Sequence, residues 1–347
     1  MSYLITVIIP AYNAEKYIDS AIESIKNQTI GFENIELIIV DDASTDSTIE
    51  ILKGYEKNFP NIKCFYQNEN TGTPSNGRNI GIDNASSKYV MFLDLDDRYH
   101  HSMCEVMYNT IEKYNTNFVM CNHKTILNGD FSDFEKFEQD KTSLIQCDPK
   151  ENEHILLDSV MWNKIYKTNF LRRYDIKCPV NCYCEDAVFS IKAILNCDEI
   201  VYLTKYQGIL YNIRDEEGNF SASNRFNSDV FSRLFKGYVN AIDEFKKANR
   251  EDLIDSWMKR HFTNFLSSFI RLDAEYSEKI NFLKDICEFK KYANFNGKLE
   301  EKWAEIINKN LDKENYNFII FYSDIIFKLY SMTILKSIYR SRYNKLT

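Results

Sequence analysis

Four short apolar runs are spaced through the first hundred residues, and each ends in polar residues before a helical pattern begins. "LITVIIP" leads into "AYN", "IELIIVDD" stops on Asp41 and Asp42, "NIKCFYQN" is a weaker third, and "KYVMFLDLDD" meets Asp94, Asp96 and Asp97 within four positions. Short β-branched and aromatic runs bounded by polar clusters read as buried strands. Between them, "AEKYIDSAIESIKNQ" places Tyr17, Ile18, Ala21, Ile22 and Ile25 at helical spacing. "STDSTIEILKGYEKN" opens on good helix-capping residues, and "GTPSNGRNIGIDNAS" reads as a loop followed by a helix. Strands alternating with helices argue for an α/β fold with a mostly parallel sheet flanked by helices.

In open sheets of this kind ligands sit beyond the carboxyl ends of the strands. Three polar clusters fall at such ends: Pro10-Ala11-Tyr12-Asn13, Asp41-Asp42, and the carboxylates from Asp94 to Asp97. Two unit charges about 4 Å apart repel by roughly 4 kcal/mol at an effective dielectric near 20. Solvation, protonation or a bound cation can relieve that cost. Hard cations such as Mg²⁺ or Mn²⁺ take carboxylate and phosphate oxygens together, which suits a nucleotide diphosphate. A dinucleotide oxidoreductase would need G-x-G-x-x-G directly after the first strand, and an NTPase a GxxxxGK[ST] loop. The turn here is Pro10-Ala11-Tyr12-Asn13-Ala14, which is neither. A nucleotidyltransferase would also place a Gly-rich loop near that strand.

The 347 residues carry a formal net charge of −8, which argues against a nucleic-acid partner needing a basic face. Nine irregularly spaced cysteines without a CxxC pair suggest reduced thiols and a cytoplasmic setting. The start, "MSYLITVIIPAYN", has no basic leader region and reads as a core strand.

From about 101 to 220 the pattern is mixed. "MCEVMYNTIEKYN" and "EDAVFSIKAILNC" read as helices, "NFVMCNHKTIL" and "EIVYLTKYQGILYNIR" as strands, and "FSDFEKFEQDKTSLIQ" as a loop or insertion. Beyond it the chain is almost wholly helical, so two domains are expected, 1–222 and 223–347. The last helical run holds Ile319, Phe321, Ile325, Ile326, Leu329, Met332 and Leu335. It also carries Lys328, Lys336, Arg340, Arg342 and Lys345 against one acid, Asp324. Packing on neighbours or in a homo-oligomer is favoured for it, and a peripheral membrane-surface anchor is the other reading.

Taken together, "VIIPAYNAEKYIDSAIESIKNQT", "IELIIVDDASTDST", "NTGTPSNGRNIGIDNASSKYVMFLDLDD", "WNKIYKTNFL" and "CEDAVFS" resemble the family 2 glycosyltransferases, inverting enzymes of the GT-A fold, over about residues 4–220. The resemblance implies that Pro10, Ala11 and Tyr12 line a nucleobase pocket and that Asp42 accepts the uracil N3–H. Arg78 would reach the base or phosphates. Asp94-Leu95-Asp96 matches the DxD motif, with Asp94 toward the ribose or sugar and Asp96 or Asp97 on Mn²⁺ or Mg²⁺. Asp186 falls where the family places its base, with Glu185 beside it. Trp162 and Lys164 would lie near donor or acceptor, and Tyr211, Arg214 and Ser221 in a segment closing over the diphosphate. A nucleotide-sugar donor of the UDP class follows, with a glycan, teichoic-acid-like or lipid-linked acceptor. A catalytically silent nucleotide-sugar-binding or assembly protein is the alternative.

Each residue also has a plainer reading. Asp41 and Asp42 suit a cap and a turn, Glu185 and Asp186 suit the dipole of the helix they open, and Trp162 suits a core. His100 and His101 read as solvent-facing loop residues.

Overall fold

The structure, a computed structural model, describes residues 3–127, 139–213 and 227–331. Arg214, Ser221, the expected domain boundary near 222 and the basic positions 336–345 lie outside the described residues. Chain contacts group into two compact units, 1–181 with 185–219 and 182–184 with 220–347.

The first unit runs β1 (Ile5–Ala11), α1 (Ile18–Lys26), β2 (Ile35–Asp41), α2 (Thr48–Asn58), β3 (Ile62–Tyr66), α3 (Ser75–Asn84), β4 (Tyr89–Phe92) and β5 (Arg98–Tyr99). It continues with α4 (Met103–Tyr114), β6 (Phe118–Leu127), β7 (Leu144–Cys147), α5 (Glu153–Leu157), β8 (Lys164–Lys167), α6 (Thr168–Arg173), α7 (Glu185–Leu195) and β9 (Ile200–Ile213). One sheet holds all the strands in the order β3-β2-β1-β4-β8-β6-β9-β5, with β7 also paired to β9. The α/β class expected from the alternation is what forms. Its pairing is more mixed than that alternation suggests: β3-β2-β1-β4 and β6-β9 are parallel, whereas β8 runs antiparallel to both β4 and β6. β7 is a further difference, since "LIQC" falls inside a stretch expected to be loop. Its half-exposed face carries no buried-strand signature, because it pairs only as an off-path strand on β9.

Every residue of β2 is buried, as a parallel strand covered on both faces requires. α3 lies close on this sheet because two glycines face it. A Cβ on Gly77 would sit 3.3 Å from Pro10 Cβ, and one on Gly81 only 2.4 Å from Ile8 Cγ2. The end of α3 is held by Arg172, whose Nη2 donates to the carbonyls of Ile82 at 2.8 Å and Ala85 at 2.7 Å.

The second unit contains α8 (Ser228–Lys247), α9 (Ile254–Ile270), α10 (Tyr276–Tyr292), α11 (Lys302–Leu311) and α12 (Tyr316–Ser331). Its core is aromatic: Phe231 stacks on Phe265 at 5.2 Å, and Trp257 on His261 at 4.4 Å. α12 buries Ile319, Ile320 and Ile326, while Phe321, Phe327 and Leu329 stay exposed. Among the described residues no helix is long and apolar enough to cross a membrane.

Candidate active site

The parallel register brings the polar strand ends into one row. Ala11 pairs with Asp41, Asp41 with Tyr66, and the amide of Leu93 donates to Ile8 O at 3.1 Å, which sets the Asp94 turn beside β1. Asn13 (φ 46°) and Ala43 (φ 58°) both adopt left-handed backbone just past β1 and β2. That conformation is costly for a residue with a Cβ, and such outliers gather at functional sites. The two loops are tied to each other, since Asn13 N–H donates to Ser44 Oγ at 2.9 Å and Thr45 N–H to Asn13 Oδ1 at 2.8 Å. Tyr12, next to Asn13, is half-exposed.

Asp42 is buried, and both its carboxylate oxygens are engaged. Gln67 Nε2 donates to Oδ1 at 2.8 Å, and the Thr71 amide to Oδ2 at 2.9 Å. Its neighbour differs. Asp41 is fully buried, its Oδ2 accepts from Ser44 N–H at 3.0 Å, and its Oδ1 has no hydrogen-bond partner.

Arg78 brings the DxD stretch and the acidic start of α7 together. Its Nη2 donates to Asp94 Oδ1 at 2.8 Å and its Nη1 to Glu185 Oε1 at 2.9 Å, across 107 positions of sequence. The guanidinium is almost wholly buried, and the two acids raise its pKa further above its ordinary value despite burial. Burial raises the Glu185 carboxyl, with Arg78 pulling it back. Asp186, half-buried beside it, is pushed up to about 7 by burial first and the Glu185 charge second, while Arg78 and the Ala187 amide oppose the shift. Burial thus raises both acids that open α7, and Asp97 is raised too, by burial first and then by the charges of Asp96 and Asp94.

Asp97 turns inward. Its Oδ1 accepts from Asn212 N–H at 2.8 Å, and its buried Oδ2 has no hydrogen-bond partner. Asp94 and Asp96 are half-buried, Leu95 is buried between them, and no group of three metal-ligating side chains occurs among the described residues. His100 departs from the solvent-facing reading. It is buried, its amide bonds Gly208 O at 2.9 Å, and Nδ1 meets Ser102 Oγ at 2.9 Å.

Trp162 is buried and stacks on half-exposed Tyr211 at 5.5 Å, with His123 edge-on to Trp162 at 5.1 Å. Asn212 follows Tyr211 and binds Asp97. Ser190 Oγ on α7 donates to Val160 O at 3.2 Å, two residues before Trp162. The aromatic cluster is therefore linked to both acidic stretches. Lys164 corrects the expectation of a ligand contact. It is 1% exposed, and its ammonium donates to Asp158, to Val160 O at 2.5 Å and to Asn163 Oδ1 at 2.8 Å, an internal ion pair with no donor to spare. His123, Gln67 and Thr71 escaped sequence reasoning. A lone histidine in a strand and amides in a polar loop carry no local signal of the partners they meet.

Residues 6–185 match the family model described as glycosyl transferase family 2. The poly(ribitol-phosphate) beta-N-acetylglucosaminyltransferase TarS of Staphylococcus aureus strain Mu50 is 26% identical over 290 residues, 82% of this chain and 49% of that protein. The poly(ribitol-phosphate) beta-glucosyltransferase of Bacillus spizizenii is 26% identical over 286 residues, 80% of this chain and 44% of that one. The chain thus spans about half the length of these relatives. The crystal structure of S. aureus TarS 1-349 in complex with UDP superposes with a TM-score of 0.70 at 20% identity, covering 92% of this chain and 90% of that one. The same protein's complex with UDP-GlcNAc gives 0.69 at 21%, with the same coverage. The fold is the one they share.

Proposed function

The chain belongs to glycosyl transferase family 2, and on that premise we propose that it moves a sugar from a UDP-sugar to a hydroxyl of a teichoic-acid-like or other cell-surface glycan. The observation that carries this reading is the Arg78 bridge from Asp94 to Glu185, which ties the DxD stretch to the acid pair that opens α7, where burial and the Glu185 charge push Asp186 up to about 7. The poly(ribitol-phosphate) relatives support the acceptor class, and the UDP and UDP-GlcNAc complexes of the shared fold support the donor.

In this reading Tyr12 packs on the base, with Pro10 and Ala11 beneath it. Asp42 receives the uracil N3–H by exchanging one of its contacts to Gln67 or Thr71. Asp41 Oδ1, buried without a partner, is a second acceptor at the same strand end. Asp94 holds a ribose or sugar hydroxyl. Asp186 takes the proton of the acceptor hydroxyl as it attacks the anomeric carbon in line, and that single displacement inverts the configuration. Glu185, held by Arg78, keeps a negative charge beside Asp186 and so maintains its basicity. Trp162 and Tyr211 form the apolar wall for the sugar or acceptor.

Asp96 and the partnerless Oδ2 of Asp97 would hold a Mn²⁺ or Mg²⁺, hard cations that suit carboxylate oxygens. A bound ion would supply positive charge against that developing on the departing nucleoside diphosphate. Five Lys or Arg and no acid lie from 328 to 347, next to the exposed apolar residues of α12, and suit a peripheral contact with an anionic membrane. Flotation with anionic vesicles, lost on truncation after Asn317, checks it.

The test of the main reading is a thermal-shift panel of UDP-, GDP- and CMP-sugars with and without Mn²⁺, followed by donor hydrolysis. A ligand of the folded state alone raises stability by mass action, so UDP-sugars should shift the midpoint most. Equal shifts across the three nucleotides, or none, would overturn the donor class. Binding without any donor turnover would instead favour the silent binding protein.

A further inference from the structure

The carboxylates of the DxD stretch sit on a turn that its own backbone closes, Asp97 N–H to Asp94 O at 3.0 Å. The residue after that turn, Arg98, folds back over it. Its Nη1 donates to the Leu95 carbonyl at 3.0 Å and to the Asp97 carbonyl, and its Nε donates to Ser20 Oγ on α1. The chain leaving α1 is itself fixed just past β5, since Gln28 Nε2 donates to His100 O at 2.9 Å and Thr29 N–H to His101 O at 2.8 Å. β9 adds a second hold: the Asn212 amide binds Asp97 Oδ1, and Leu210 pairs with Arg98. Arg98 is buried, and a buried cation is costly unless it is paired and hydrogen-bonded. Burial lowers its pKa to about 10, with the Asp97 and Asp96 charges opposing the shift, so it stays charged at neutral pH.

We infer that Arg98 is a positioning residue for a divalent cation: its guanidinium, anchored on α1, holds the 94–97 turn in the shape that presents Asp96 and Asp97 to the ion. This rests on those two carboxylates being the metal's ligands. Two carbonyls and a hydroxyl taken by one side chain suit the fixed fork of a guanidinium, whereas a lysine ammonium is one compact charge. The sign of the effect separates shape from charge. A cation beside Asp96 and Asp97 repels an incoming Mn²⁺, so an Arg98 that supplied charge alone would weaken metal binding, and its removal would tighten it. An Arg98 that shapes the turn does the reverse, because metal ligands that lose their supporting hydrogen bonds lose about 10–100-fold in affinity.

The experiment titrates Mn²⁺ into wild type, Arg98→Lys and Arg98→Met with UDP present, reading free ion by electron paramagnetic resonance, and follows UDP-sugar turnover against Mn²⁺. Both variants should bind Mn²⁺ at least about tenfold more weakly, and their turnover should half-saturate at correspondingly higher Mn²⁺. Tighter Mn²⁺ binding in Arg98→Met, or wild-type binding in Arg98→Lys, would make Arg98 a charge and not a brace, and overturns the inference. Lower melting temperatures with Mn²⁺ affinity unchanged in both would make Arg98 purely structural, and overturn it as well. If neither variant folds, Ser20→Ala serves: freeing the Nε anchor should weaken Mn²⁺ binding by about threefold, and an unchanged affinity sinks the inference. Asp96→Ala is titrated in parallel. Wild-type Mn²⁺ affinity there removes the metal reading itself, whereas lost affinity there with unchanged affinity in the Arg98 variants removes only this inference.

Discussion

Replacing Asp186 with Asn should stabilise the protein at alkaline pH while removing its chemistry. The carboxyl is pushed up to about 7 in the folded chain from an ordinary 3.8. Below 3.8 both folded and unfolded chains hold the proton, and its contribution to stability is fully present. As pH rises the unfolded chain ionises first, stability is lost, and the loss is complete above the folded value. At about 1.4 kcal/mol per pH unit, the gap between 3.8 and about 7 sets a ceiling of about 4 kcal/mol. The group is half-buried, so water relieves much of it, and about 1–2 kcal/mol is the expected cost of keeping Asp186 charged at pH 8. Asn keeps an oxygen to accept the Ala187 amide, now at 2.9 Å, and carries no charge. At roughly 2–4 °C per kcal/mol for a unit of this size, the variant should melt about 3–6 °C higher at pH 8 and by about a third of that margin at pH 5. Differential scanning fluorimetry of both proteins from pH 5 to 8.5 reads this directly. Identical melting at pH 8, or a gap widest at acid pH, would refute the claim that Asp186 sits protonated near neutrality.

Three other perturbations test neighbouring parts of the account. Gly81→Ala puts a Cβ 2.4 Å from Ile8 Cγ2 and should cost about 1–3 kcal/mol in urea unfolding by pushing α3 off the sheet. An unchanged midpoint would mean α3 lies looser than described. Lys164→Ala strands Asp158 and should cost about 3–5 kcal/mol, whereas a Lys164→Met, Asp158→Leu pair should recover most of it. A Lys164→Ala protein of full stability but weak donor binding would restore its expected ligand role. Trp162→Ala should raise the acceptor KM by at least about tenfold and leave UDP affinity unchanged, and the reverse pattern would move the stack to the donor side.

The β1-to-β4 half was legible because its signals are local. β-branched runs, capping residues and acids at strand ends all lie within a few positions of one another, and the parallel register then aligns them. What stayed hidden was long-range. The Arg78–Glu185 pair spans 107 residues, and nothing near either residue announces the other. β8 enters between β4 and β6 against their direction, and a four-residue strand gives no sign of its neighbours. Lys164 shows the same blindness in a side chain, since "WNKIY" cannot say whether a lysine meets a ligand or a buried Asp158. Spacing singled out Asp94 and Asp96 as candidates, but it could not tell that Asp97 turns inward to the Asn212 amide.

The central claim is that an acid at the start of α7 takes the acceptor's proton while the donor is held elsewhere. The most direct measurement is turnover of UDP-GlcNAc and UDP-glucose by Asp186→Asn alongside its UDP affinity by calorimetry. The account predicts transfer reduced by about 10²–10⁴-fold with UDP binding preserved. Wild-type turnover in the variant, or loss of UDP binding together with turnover, would contradict it.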